Sequence, residues 1–138
     1  MLKSFTIDQL YVGLNVSSNH VITDKKIKQF ADISGDFNPI HLDPEFAEKT
    51  RFGKRIAHGM LVSSFISALF AMKLPGQGCI YLSQNLSFKN PVYINDTVVA
   101  TIEVIAVDFS RKRVQFRTYC TVNNKIVIDG EAEIYIPD

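Results

Sequence analysis

The segment SGDFNPIHLD, residues 34–43, places a carboxylic acid at Asp36 and an imidazole at His41 on either side of an Asn38–Pro39 step. An ionised carboxylate accepts hydrogen bonds, and an imidazole can take or deliver a proton near neutral pH. General acid–base chemistry needs both groups within hydrogen-bond reach of one substrate or water. Pro39 disfavours the α region for Asn38, and Asn tolerates tight turns. A rigid bend outside any helix is therefore predicted, with Asn38 supporting it and the chain path fixing where Asp36 and His41 sit. Two plainer roles stand beside this one: Asp36 as the acceptor of an Asx-turn, and His41 as a buried ring satisfied by a backbone carbonyl.

A second unusual stretch is IAHGM, residues 56–60, which sets His58 and Gly59 directly before an apolar run. A glycine there leaves a bare N–H at the positive end of a helix dipole, able to donate to a developing oxyanion; close packing or N-capping explains it equally well. Ser63, Ser64 and Ser67 follow on the next turns as packing residues, and Ser67, well inside the helix, needs a partner if its hydroxyl is buried. His20, in SSNHVIT, has no such context and reads as a surface residue.

Other chemistries lack their signatures. There is no GxSxG, HExxH or GxxxxGK[ST] pattern, and Gly76-Gln77-Gly78 lacks the strand-then-helix setting of a dinucleotide fingerprint. Asp36, His41 and His58 match no standard metal spacing, so no metal is expected. Arg111-Lys112-Arg113 reads as a solvated turn. Cys79 and Cys120 show no ligand or redox spacing and are expected to be reduced and structural. Three Asn-x-Ser/Thr triplets, at Asn15, Asn85 and Asn95, have no secretory signal to give them meaning.

The elements that must position these residues follow from periodicity. Thr23 is a candidate N-cap for a helix DKKIKQFADIS ended by Gly35, so the acid–base segment starts where a helix stops. Asp43-Pro44 signals another helix start, over PEFAEKT. From Gly59, the run MLVSSFISALFAMKL is apolar on almost every face and is ended by Pro75-Gly76. It reads as a central helix surrounded by other structure and about 24 Å long. Beyond Gly78 the period becomes two. Ile80, Leu82, Leu86 and Phe88, then Ile102, Val104 and Ala106, then Val114, Phe116, Thr118, Cys120 and Val122, then Ala132, Ile134 and Ile136 mark the buried faces of four strands. Asn123-Asn124 is a hairpin signal, Gly130 a bulge or bend, and the short turns imply antiparallel pairing. An α+β fold is predicted, with one domain over residues 1–138 in which the central helix covers the sheet.

The 138 residues suffice for one substantial core, and the charge balance of 15 Lys plus Arg against 14 Asp plus Glu gives no reason to expect nucleic acid or an anionic membrane as partner. Polar residues at Ser4, Thr6, Asp8 and Gln9 interrupt any signal peptide, and no run reaches the ~20 apolar residues of a membrane span. A soluble, cytoplasmic protein is expected.

The blocks SGDFNPIHLDPEFA (34–47), IAHGML (56–61) and LSFKNPVYINDTV (86–98) closely resemble the MaoC-like (R)-specific enoyl-CoA hydratases of the hot-dog fold, across nearly the whole chain. The resemblance implies a bent antiparallel sheet wrapped around one long helix, paired as a homodimer. It implies a hydro-lyase of fatty acid metabolism that adds water reversibly to trans-2-enoyl-CoA to give (R)-3-hydroxyacyl-CoA. The partner is an acyl-CoA thioester, and no cofactor is used beyond the coenzyme A that belongs to the substrate. Catalytic water held by Asp36 and His41, a thioester carbonyl polarised by Gly59 N–H, and support from Ser67 and Asn38 are what the resemblance assigns. Asn95-Asp96 replaces the Gly-Asp common in the family, and Asn also accepts positive φ. An acyl-CoA thioesterase, an acyl-carrier-protein dehydratase and a non-catalytic acyl-CoA-binding module are the alternatives on the same fold.

Overall fold

The computed structural model describes residues 3–137, so the first two residues and the last of the expected domain lie outside the described residues. In chain order the elements are a 3₁₀ turn Ile7–Gln9, β1 Asn15–Val21, α1 Asp24–Ser34, α2 Pro39–Leu42, α3 Pro44–Glu48, α4 Gly59–Met72, β2 Ile80–Phe88, β3 Thr97–Asp108, β4 Arg113–Val122 and β5 Lys125–Tyr135. The strands form one antiparallel sheet in the order β1-β3-β4-β5-β2. This is the expected α+β class.

The local signals act as their chemistry requires. Thr23 Oγ1 accepts from Lys26 N at 3.2 Å and opens α1; Gly35, at φ 80°, closes it by donating to Ala31 O. Asn123 and Asn124 both take positive φ, 50° and 65°, as the tight β4–β5 hairpin demands. Asn95 likewise takes φ 72°.

Leu61, Val62, Ile66, Leu69 and Phe70 of α4 are buried against the inward residues of β3, β4 and β5. Phe70 meets Phe116 of β4 edge-on, with ring centroids 4.9 Å apart, an arrangement worth about 0.5–1.5 kcal/mol beyond area burial. Cys120 is buried in this core, where burial pushes its thiol up to about 12; Cys79 is half-buried, and both are free.

Four sequence expectations are corrected. First, β1 was not foreseen: its inward positions are Val16, Ser18 and His20, two of them polar, so no hydrophobic alternation shows. His20 is accordingly not a surface residue; its ring stacks on Phe65 of α4 at 3.9 Å and Ser18 Oγ lies 2.7 Å from its Nε2. Second, β2 is not buried on one face: Ile80, Leu82 and Phe88 are 47%, 41% and 53% exposed, and a register shift between Tyr81 and Ser83 breaks the alternation and sets Tyr81, not Ile80, opposite buried Ile134. Third, Ala106 is exposed, because a register shift between Val104 and Ala106 turns the strand over and sends Val107 towards the core instead. Fourth, Gly130 is no bulge: it pairs in register with Thr118 and Leu86, and a Cβ there would come within 2.0 Å of Asn85 O. The outer face of α4 is also open, with Ser64, Ser67, Ala68 and Met72 exposed. No helix among the described residues is long and apolar enough to cross a membrane.

Candidate active site

Residues 34–43 form a ladder of short-range hydrogen bonds. Ser34 Oγ donates to Phe30 O and accepts from Asp36 N at 3.1 Å. Asp36 Oδ1 accepts from Asn38 N at 3.1 Å, and Asn38 Oδ1 accepts from Ile40 N at 3.2 Å. Asp43 Oδ1 then caps α3 by accepting from Glu45 N and Phe46 N. The Asx-turn role of Asp36 is therefore real, and it uses one carboxylate oxygen only. The expectation of a segment outside any helix is corrected: Pro39 occupies the first position of the one-turn helix α2, Asn38 is its N-cap, and His41 lies within it. A proline that bars a helix behind it starts one ahead of it.

His41 is 9% exposed and is clamped by residues 55 and 56. Its Nδ1 lies 2.8 Å from Ile56 O; a carbonyl only accepts, so Nδ1 carries the proton. Arg55 Nε donates to His41 O at 2.6 Å, and Ile56 N to Ile40 O. Arg55 is itself buried and reaches Asp24 Oδ1 of α1 at 2.7 Å. With Nδ1 occupied, the Nε2 edge of His41 remains for chemistry, 3.9 Å from Asp36 Oδ2. That gap exceeds a direct hydrogen bond, yet one water at ordinary distances of about 2.8 Å can touch both atoms.

His58 is the N-cap of α4 and is 3% exposed. Its ring stacks on His41 at 3.8 Å and its Nε2 donates to Asp36 O at 3.0 Å, so it ties the acid's backbone to the base's ring. Burial pushes the His58 pKa below its ordinary value against the pull of the Asp36 carbonyl, and the neighbouring His41 adds to the lowering. Among the described residues its Nδ1 is buried without a partner. Free ligand atoms of Asp36, His41 and His58 lie within 4.8 Å of one another. The two imidazole planes are tilted by 26°.

Gly59 opens α4, and no side chain caps the helix, which leaves its first amides, Gly59 N–H among them, without a side-chain acceptor. A Cβ at position 59 would sit 2.6 Å from Phe88 Cε1 of β2, which gives the glycine a steric reason as well. Gly59 lines a cavity of about 490 Å³ whose walls include Phe52, Ala57, Val62, Phe88 and Ile128.

Asp36, Asn38 and His41 share one ladder of contacts, and His58, which stacks on His41 and holds Asp36 O, links that ladder to Gly59, its neighbour in the chain at the N-terminus of α4. Ser67 does not join them within the protomer. It is exposed, lines a different cavity of about 560 Å³ with Met60, Tyr81 and Leu82, and among the described residues makes no hydrogen bond to the other four. The sequence reading missed Arg55 and Phe88 as site residues. A lone arginine and one more apolar position in a strand carry no local sign of their neighbours.

Comparison with known proteins identifies the family. Residues 13–127 match the model of the MaoC like domain. The (R)-specific enoyl-CoA hydratase of Rhodospirillum rubrum is 47% identical over 125 residues, covering 91% of this chain and 87% of that protein. The mitochondrial 3-hydroxyacyl-[acyl-carrier-protein] dehydratase of Arabidopsis thaliana is 39% identical over 133 residues, covering 94% of this chain and 79% of that protein. The solved structure of the (R)-hydratase of A. caviae involved in PHA biosynthesis superposes with a TM-score of 0.91 at 40% identity, over 93% of this chain and 98% of that one. A hot-dog sheet wrapped on α4, the GDFNPIH and HGM blocks and these relatives lead to one statement: the chain belongs to the MaoC-like family.

Proposed function

We propose that this protein is an (R)-specific enoyl-CoA hydratase, a hydro-lyase that adds water to trans-2-enoyl-CoA. The observation that carries the reading is the 3.9 Å separation between Asp36 Oδ2 and His41 Nε2, a seat for one water beside the N-terminus of α4. Water bound there attacks C3 of the enoyl thioester while the pair takes one of its protons. The π electrons move through C2 onto the thioester oxygen, which Gly59 N–H stabilises, and the pair delivers a proton to C2 as the enolate collapses. The elements of one water are added and nothing is oxidised. Acid–base help of this kind contributes typically ~10²- to 10⁴-fold and an oxyanion donor ~10²- to 10³-fold. The chemistry is complete with a carboxylate, an imidazole and an amide; we propose no metal or redox group, coenzyme A being part of the substrate.

The (R) outcome is supported by the Rhodospirillum rubrum relative and by the A. caviae structure. A homodimer is supported by β2, an edge strand with apolar side chains exposed along it. The Arabidopsis thaliana relative favours a second reading, dehydration of a carrier-protein thioester by the same groups run in reverse. Adding crotonyl-CoA to the purified protein tests the first reading: conjugated enoyl-thioester absorbance falls and chiral analysis finds the (R)-alcohol. Unchanged absorbance over hours, or an (S) product, refutes it.

A further inference from the structure

The hydratase reading leaves open what holds the far end of the substrate, some distance from the thioester. Two large cavities flank Met60. The one reached by Ser67 is lined by no charged side chain. The one reached by Gly59 is lined by two, Arg51 and Lys89, both cationic, and by no carboxylate. Among the described residues neither cation has an ion pair. Arg51 lies along the Phe52 ring, 5.0 Å from its centroid, which holds the guanidinium over an apolar wall of the same cavity. Asp129 and Glu131 share a neighbouring hollow of about 350 Å³ with Lys89; Asp129 is already engaged by Arg117 at 3.3 Å, and neither carboxylate lines the Gly59 cavity.

We infer that Arg51 and Lys89 form a phosphate-binding site for the nucleotide of coenzyme A, with the pantetheine arm threaded through the Gly59 cavity between them and the reacting thioester. The charge pattern selects this end of the substrate. The thioester oxygen must reach Gly59 N–H, an acyl chain gains nothing from two cations, and the only anions on the molecule are its phosphates. The guanidinium can grip a phosphate through two parallel N–H donors, and the ammonium adds a point charge. The inference rests on the hydratase reading, and it makes coenzyme A itself, rather than a carrier protein, the source of the phosphates.

The test compares crotonyl-CoA with crotonyl-pantetheine, which lacks the nucleotide, on wild type, R51Q, K89Q, the double variant and the control K125Q at the exposed start of β5. Each single change is expected to raise KM for crotonyl-CoA about threefold to tenfold, with the double larger and kcat within about twofold. The rise is confined to the nucleotide-bearing substrate, and K125Q moves neither. Added salt raises the wild-type KM for crotonyl-CoA and narrows the gap to the double variant. Equal losses on both thioesters, or an unmoved KM in the double variant, overturn the site. So does a larger loss on crotonyl carrier protein than on crotonyl-CoA, which would assign the cations to a carrier's acidic surface. Calorimetry of free coenzyme A against wild type and double variant reads the same cations without turnover. If no thioester is hydrated, the hydratase reading falls, and weakened coenzyme A binding in the double variant still decides the site.

Discussion

The strand β4 and the strand β2 carry the same written pattern and lead different lives. In β4, Val114, Phe116, Thr118 and Cys120 alternate with polar residues and are fully buried beneath α4. In β2, Ile80, Leu82, Leu86 and Phe88 alternate as cleanly, yet only Leu86 is even half-buried. Alternation records that one face of a strand is apolar, and says nothing of what covers it. In β4 the cover is α4 of the same chain; in β2 it has to come from elsewhere, except at Tyr81, edge-on to Phe70 of α4, at Leu86, which packs against the core, and at Phe88, whose ring lies over Gly59. A third kind of region precedes both in chain order: residues 34–58, whose only helices are the short α2 and α3, are held by named polar contacts rather than by a packed face.

These differences are open to attack, first where the effect is greatest. Asp36→Asn keeps an Oδ1 able to accept from Asn38 N, so the turn survives while the carboxylate facing His41 is lost. Turnover of crotonyl-CoA should drop about 10²- to 10⁴-fold with thermal stability little changed. Full turnover would break the assignment. Phe116→Ala should cost about 3–5 kcal/mol in denaturant unfolding, whereas Leu82→Ala, at a position 41% exposed, should stay within about 0.5 kcal/mol for the protomer. If Leu82→Ala also raises the dimer dissociation constant in sedimentation, the missing cover of β2 is a second copy; equal stability costs in β4 and β2 would erase the contrast.

What the sequence made legible has the same physical root. Thr23, Gly35, Asp43-Pro44 and Asn123-Asn124 act on partners within a few residues, so their chemistry can be read in place. The Asp36–His41 pair was visible for that reason, and the GDFNPIH block added the family. The helical turn at Pro39–Leu42 is hard to read in place, because the same proline forbids α geometry to Asn38 and starts a helix ahead of it. β1 was hidden by Ser18 and His20 on its inner face, and the half-buried place of His20 depends on Phe65, far along the chain. Arg55 could not be found, because its partners Asp24 and His41 meet it only in the fold. Ser67, carried over from the family, lines a separate cavity in the protomer, a placement set by the packing of α4 and not legible in the motif.

Arg55→Met removes the donor to His41 O and leaves half-exposed Asp24 to Lys28, so a stability loss of about 1–3 kcal/mol is expected. If the clamp positions His41, kcat falls more than KM rises, and Arg55→Lys recovers part of kcat; a variant that only melts earlier would show Arg55 to be structural alone. Gly59→Ala forces the Phe88 ring aside, an overpacking of about 1–3 kcal/mol. Gly59→Ala/Phe88→Leu should regain stability, because the obstacle is the end of a side chain and not backbone.

The smallest effect separates the site from the far edge of the sheet. Burial pushes the His20 pKa below its ordinary value, with Lys26 and then Lys73 adding to the lowering, and His58 is lowered in the same sense. An unfolded histidine takes its proton near ~6.5, whereas these two resist it in the native state. The unfolded chain therefore binds more protons there, and stability rises with pH. The contribution is fully present above ~6.5 and is lost as pH falls through that value towards the lower native ones. His20→Gln should lower Tm at every pH, since the Phe65 stack is gone, and should also flatten the decline of Tm between about pH 7 and 5 without abolishing it, because His58 remains. With kcat/KM retained, that flattening would place the acid sensitivity of β1 outside the chemistry; an unchanged slope would mean that His20 is as free to protonate in the folded sheet as in the open chain.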